Sequence, residues 1–208
     1  MSKQEILLVG RSSSHFTRIA RIFAIELGMP HTFRAVLDLN TLDRAAYADN
    51  PALKIPVMVD EQGPLFGTEN ICRALAKRSG KNDSVVLRGD VSDRLVANAE
   101  EVILHAMNSE VIIISTGMTG DDRSPPPKVR PSLENSLAYL DKNLERVLAA
   151  LPPARVVSFC EIALFCLVEH LPFRKIMDVS AYPNLTNFAR AFAERRAAQA
   201  TAYRFDAA

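Results

Sequence analysis

Three consecutive serines and a histidine, Ser12-Ser13-Ser14-His15, separate an apolar run ending at Gly10 from an amphipathic stretch that begins at Phe16. A hydroxyl at such a junction ordinarily caps the helix, its oxygen accepting a free backbone N–H of the first turn. One cap needs one hydroxyl. The surplus puts extra donors at the positive end of a helix, where developing negative charge is stabilised. Two further stretches carry groups of the same kind. Thr68-Glu69 opens a second helical pattern with a hydroxyl cap and an acid in the first turn. Ile55-Pro56 stands between a loop and an apolar strand, where proline lowers the penalty for a cis peptide to ~0.5–1 kcal/mol. A plain trans turn proline fits those residues equally. Lys54 beside it reads as a solvated surface lysine.

The remaining reactive residues indicate no chemistry of their own. Cys72, Cys160 and Cys166 each lie inside an apolar helical pattern and form no Cys-x-x-Cys pair. They read as free buried thiols in a reducing compartment. His15, His31, His105 and His170 show no metal-ligand spacing with one another or with a cysteine, so no structural metal is expected. His15 itself reads as a partly exposed loop residue.

Composition narrows the class. The 208 residues carry a formal charge of +1 without a block of like charge, which excludes a nucleic-acid footprint or a polybasic membrane surface. No apolar run approaches the ~20 residues of a membrane span. The opening "MSKQEILLVG" has too short an apolar region for a secretory leader, so a cytoplasmic protein is expected.

The elements that must position these residues alternate at first. "EILLV" reads as a buried strand and "HFTRIARIFAIELG" as a helix, with Phe16, Ile19, Ala20, Phe23 and Leu27 on one face and Gly28 as its stop. "TFRAVLDL" is a second strand, "IPVMVD" and "PLF" flank the turn "EQG" as a hairpin, and "TENICRALAKRSG" is a helix capped by Thr68. From Lys81 the strand signals vanish. A long helix runs through "SDRLVANAEEVILHAMNSEVIII", capped by Ser92. The proline-rich "DDRSPPPKVRP" is a loop. An amphipathic helix starts at Pro131, with Leu133, Leu137, Leu140, Leu144 and Leu148 on its face. "SFCEIALFCLVEHL" is apolar almost all round and opens on Ser158-x-x-Glu161, a reciprocal capping box. "NLTNFARAFAERRAAQATAY" is the closing helix. The pattern predicts an α/β unit over 1–80, a joint at 81–90 and an all-helical unit over 91–208.

Four stretches in this order resemble the cytosolic glutathione transferases of bacterial type: "SSSHFTRIARIFAIELGMP", "NPALKIPVMVDEQGPLFGTENICRALAKRSG", "SFCEIALFCLVEHLPFR" and "YPNLTNFARAFAERRAAQAT". The resemblance covers nearly the whole chain. It implies a thioredoxin-like first domain that holds glutathione and a helical-bundle second domain that helps form the second-substrate site. It also implies a cis Ile55-Pro56 bond, with the backbone of Ile55 pairing like a strand with the cysteinyl part of glutathione.

Aligned with the family's Pro-Phe-x-Arg-x-x-Arg, the stretch "HFTRIAR" leaves Ser14 in the nucleophile's slot of a Cys-Pro-x-Cys motif. Ser14 is therefore implied to hold the glutathione thiol as thiolate, with Ser12 and Ser13 as alternates. Thr68 is implied to bind the γ-glutamyl carboxylate, Glu69 the α-amine and Lys54 the glycyl carboxylate. Met107 and Val111 are implied to line the second-substrate site, although core packing explains each residue better. Gly67 departs from the family's Glu or Gln and removes one polar contact.

The resemblance thus implies a glutathione transferase acting on a small hydrophobic electrophile, with glutathione as co-substrate and no tightly bound cofactor. It further implies a homodimer. Two alternatives stand beside it: a non-catalytic binding or regulatory protein of the same fold, and a glutathione-dependent peroxidase or reductase. A serine site has no second sulfur, which disfavours a dithiol cycle.

Overall fold

The computed structural model describes residues 5–118 and 124–207. Met1–Gln4 of the opening segment and Asp121–Arg123 of the expected loop lie outside the described residues.

The first half is built on a four-stranded sheet. Strands β1 (Ile6–Gly10) and β2 (His31–Ala35) run parallel, joined by helix α1 (His15–Glu26). A hairpin of β3 (Val57–Asp60) and β4 (Gly63–Phe66) adds antiparallel to β1, which gives the order β2-β1-β3-β4. Helix α2 (Thr68–Ser79) follows and packs on α1. This is the thioredoxin-like arrangement that the resemblance implies.

Side-chain alternation along the strands decides what covers each face. Ile6, Leu8 and Met58 point into the main core with α1 and α2. Val9 and Val57 point the other way, into a smaller cluster closed by Tyr47 and Val36. Tyr47 sits on a single 3-10 turn, Arg44–Tyr47, inside the stretch expected to be loop, and its hydroxyl donates to the Leu39 carbonyl at 2.9 Å. Strand β2 is shorter than expected, ending at Ala35 although the Val36 N–H still donates to the Gly10 carbonyl.

The second half is helical, with one correction. Two short strands, β5 (Val85–Val86) and β6 (Val157–Ser158), pair in parallel where only helix and loop were expected. They fasten the 81–90 joint to the start of the central helix. The helices are α3 (Arg94–Met118), α4 (Val129–Ala150), α5 (Phe159–Phe173), α6 (Pro183–Ala193) and the short α7 (Arg196–Ala200). The expected closing helix is therefore two pieces, broken at Glu194–Arg195, and Tyr203 lies beyond both. Helix α4 starts two residues earlier than expected, which the first turn allows because a proline there removes no intrahelical bond.

Helix α5 is the centre of the molecule. Eleven of its fifteen residues are buried, which only a helix enclosed on all sides allows, and it packs on α1, α3 and α6. Its capping box is half made. The Ser158 hydroxyl accepts from the Glu161 N–H at 3.4 Å, but the Glu161 carboxylate takes two bonds from Arg155, at 2.6 and 2.8 Å, instead of reaching back. The start of α3 is likewise held by Asp93, not by Ser92: its carboxylate accepts from the Leu95 N–H at 2.7 Å. Among the described residues, no helix is long and apolar enough to cross a membrane. The three cysteines are free and buried, and burial pushes the Cys166 thiol up to about 12.

Candidate active site

The end of β1 and the start of α1 set the serines. Gly10 is required here, because a Cβ would come within 2.4 Å of the buried Thr17 side chain. That close approach lets the chain turn sharply into the helix. Ser14 is the residue immediately before α1, in extended conformation, and its hydroxyl accepts from the Thr17 N–H at 3.3 Å. It caps the helix and still has its own O–H to donate. The N–H groups of His15 and Phe16, in the first turn, have no intrahelical partner.

Ser12 and Ser13 are placed differently. Both are buried, at 2% and 5% exposure, whereas Ser14 is half-buried. The Ser12 N–H donates to the Asp206 carboxylate at 2.8 Å, and the Ser13 carbonyl accepts from His170 Nε2 at 3.0 Å. The loop is thus clamped by the C-terminal tail and by α5. Of the three hydroxyls, only that of Ser14 combines access with the helix terminus.

The Ile55-Pro56 bond is cis. Its proline carbonyl accepts from the Gly67 N–H at 3.4 Å, and among the described residues no hydrogen bond is found to the backbone of Ile55. Lys54 is exposed beside it, its carbonyl held by the Asn50 side chain at 2.8 Å.

Gly67, not Thr68, is the residue before α2, with φ at +87°. That left-handed conformation favours glycine and accounts for the missing side chain at this position. Thr68 occupies the first helical position, and its hydroxyl donates to the Phe16 carbonyl at 3.4 Å, tying α2 to α1. Glu69 is engaged with Arg88 at 3.2 Å, and Arg88 also pairs with Glu101.

A cleft of about 460 Å³ lies between the two halves. Phe16, Gly67, Thr68, Glu69 and Asn70 form one wall, and Leu104, Asn108 and Phe159 the other. Met107 is fully buried and Val111 faces outward at 41% exposure, so neither lines this cleft. Leu104 and Asn108 do so because the helical repeat turns that face of α3, and not the next, toward the cleft.

Sequence reasoning missed a cluster next to the serines. His15 is 2% exposed, not a loop residue, and its Nδ1 lies 3.1 Å from His170 Nδ1 and 3.6 Å from Glu110 Oε2. Glu110 Oε1 lies 3.2 Å from His170 Nδ1. Burial, with repulsion from His170 and Arg174 behind it, pushes the His15 imidazole well below its usual range, and burial pushes the Glu110 carboxyl up. Glu110 on an otherwise apolar face of α3 was the available signal, since a fully buried acid needs a partner.

Residues 13–78 match the model of the glutathione S-transferase N-terminal domain. No curated protein sequence matches the chain significantly. Among solved structures, a glutathione S-transferase from Methylobacillus flagellatus with GSH bound superposes at a TM-score of 0.79 and 21% identity, covering 96% of this chain and 100% of that one. A glutathione transferase family member from Pseudomonas fluorescens with bound glutathione gives 0.80 and 19%, over 96% and 99% of the two chains. A glutathione S-transferase from Methylobacterium radiotolerans in complex with glutathione sulfonate gives 0.76 and 17%, over 98% of each. The fold is that of the glutathione transferases.

Proposed function

We propose that the chain is a member of the glutathione transferase family and joins the thiol of glutathione to a small hydrophobic electrophile. The observation that carries the reading is Ser14: a half-buried hydroxyl that caps the start of α1 and keeps its own O–H free to donate. In this reading Ile55 pairs with the cysteinyl backbone of glutathione against Pro56. Thr68 and the start of α2 take the γ-glutamyl carboxylate, and Lys54 takes the glycyl carboxylate. Glu69 meets the α-amine in exchange for Arg88. The cleft walled by Leu104, Asn108 and Phe159 receives the electrophile, in place of the Met107 and Val111 expected from sequence.

Magnitudes support the chemistry. An unperturbed thiol has a pKa of ~8.5, so ~3% is ionised at pH 7. Lowering it by two units takes ~2.7 kcal/mol of preference for the thiolate. A helix terminus contributes ~0.3–1 kcal/mol, and ~2 when partly buried. A hydrogen bond to a charged acceptor adds ~1.5–3 kcal/mol. The two together suffice. The thiolate then attacks the electrophilic carbon, and binding both reactants in one cleft removes the entropic barrier of bringing them together.

The same reading carries a cytoplasmic homodimer. A non-catalytic binding protein of this fold is the second reading, and Gly67 favours it by offering no side chain to the γ-glutamyl group. Immobilised glutathione separates the two. The transferase reading expects retention, release by free glutathione, and a conjugated product with an aryl halide. Passage straight through the column overturns it; retention without conjugation leaves the binding protein.

A further inference from the structure

We propose that His15, Glu110 and His170 form a three-ligand site for a divalent transition-metal ion, zinc by its donor set, at the seam between α1 and the helical half. The inference stands apart from the glutathione reading and departs from the expectation of no metal.

Geometry carries it first. The facing atoms are His15 Nδ1, His170 Nδ1 and the Glu110 carboxylate oxygens, separated by 3.1, 3.2 and 3.6 Å. Ligand atoms ~2.0–2.1 Å from a tetrahedral zinc lie ~3.3–3.4 Å from one another. The three separations straddle that value. Two imidazole nitrogens and one carboxylate with a fourth position open to water is a ligand set zinc takes in enzymes.

Hydrogen bonding carries it second. A carbonyl can only accept, so His170 Nε2, 3.0 Å from the Ser13 carbonyl, bears the ring hydrogen of the neutral imidazole. Its Nδ1 therefore presents a lone pair toward Glu110 and His15. The backbone carbonyl is the outer partner that orients a metal-binding histidine. Glu110 Oε2 is buried and has no hydrogen-bond partner among the described residues. The His170 Nδ1 lone pair, His15 Nδ1 and the Glu110 carboxylate converge on one point, and His15 Nε2 is likewise buried without a partner among the described residues. A dication meets all three.

The sequence hides the site because its ligands come from α1, α3 and α5, at no recognisable spacing. The ion's charge meets one carboxylate, with Arg174 acting on both His15 and Glu110, so binding is expected to be reversible by chelators. An ion here would fix the loop that carries Ser14 to α3 and α5.

All three ligands are buried, so the full chain is tested after refolding with zinc or cobalt(II) as well as in its native state. The expected result is one zinc per chain after desalting, removal by a strong chelator with a fall in melting temperature, and the visible absorption of four-coordinate cobalt(II). Glu110→Gln and His170→Asn should each weaken zinc binding more than about tenfold, as losses in metal-supporting residues do. No retained ion and no cobalt spectrum in the wild-type chain overturn the proposal, and that readout holds even if a variant fails to fold. Zinc retained equally by both folded variants overturns it too, since the ion then sits elsewhere.

Discussion

Ser14→Ala lowers the rate of conjugation at pH 7 by about 10- to 100-fold while glutathione affinity changes little. The reason is local. A hydrogen bond to the thiolate is worth ~1.5–3 kcal/mol, and each ~1.36 kcal/mol is tenfold in rate. The substituted chain keeps the cis proline, Thr68 and the end of α1, so binding survives. The deficit has a direction with pH: above ~8.5 the thiol ionises without help, and the two rates converge. Steady-state kinetics from about pH 6 to 9 checks this. A deficit that stays constant across the range contradicts it. Ser12→Ala and Ser13→Ala should leave the rate nearly unchanged, since both side chains are buried. Ser12 Oγ has no partner among the described residues, so its removal leaves no orphaned group behind.

The largest effect on stability is expected from Phe165→Ala. Phe165 is fully buried at the middle of α5, stacked on Phe192 at 4.6 Å between centroids, with the Arg18 guanidinium 4.6 Å from its ring. Arg18 lies between this ring and Tyr203, 4.2 Å away, and donates to the Ala198 carbonyl at 3.2 Å. Truncation removes a large apolar side chain, leaves a cavity, and strips one face from a buried cation. Phe→Ala in a core costs ~3–5 kcal/mol. For a chain of this size each kcal/mol shifts the melting temperature by ~2–4 °C, so a fall of roughly 6–20 °C is expected. Phe205→Ala is the comparison: that ring is 63% exposed and should cost under ~1 kcal/mol. Urea unfolding of both checks the contrast; similar losses would mean that α5 does not organise the core.

What the sequence made legible follows from which forces are local. Helix α1, the hairpin and α5 were readable because apolar period and caps are written into neighbouring residues. The half-made capping box was not, because Glu161 has a closer partner in Arg155, reached through a loop whose path no local rule fixes. The β5–β6 pairing was hidden because two-residue strands carry no period. In the site, Ser14 and Thr68 could be named from the resemblance, yet Gly67 took the capping position from Thr68 through its positive φ. Met107 and Val111 do not line the cleft, because a helix's facing is set by its packing partners, and Leu104 and Asn108 line it instead. The His15–Glu110–His170 cluster and the Asp206 clamp join residues far apart in the chain, which no spacing rule detects.

The most direct test is an ultraviolet titration of the thiol of bound glutathione. The account predicts that it ionises about two units below the free value of ~8.5, and that Ser14→Ala moves it back most of the way. A bound thiol that ionises like free glutathione, or a lowered value that ignores Ser14, would contradict the role assigned to that hydroxyl.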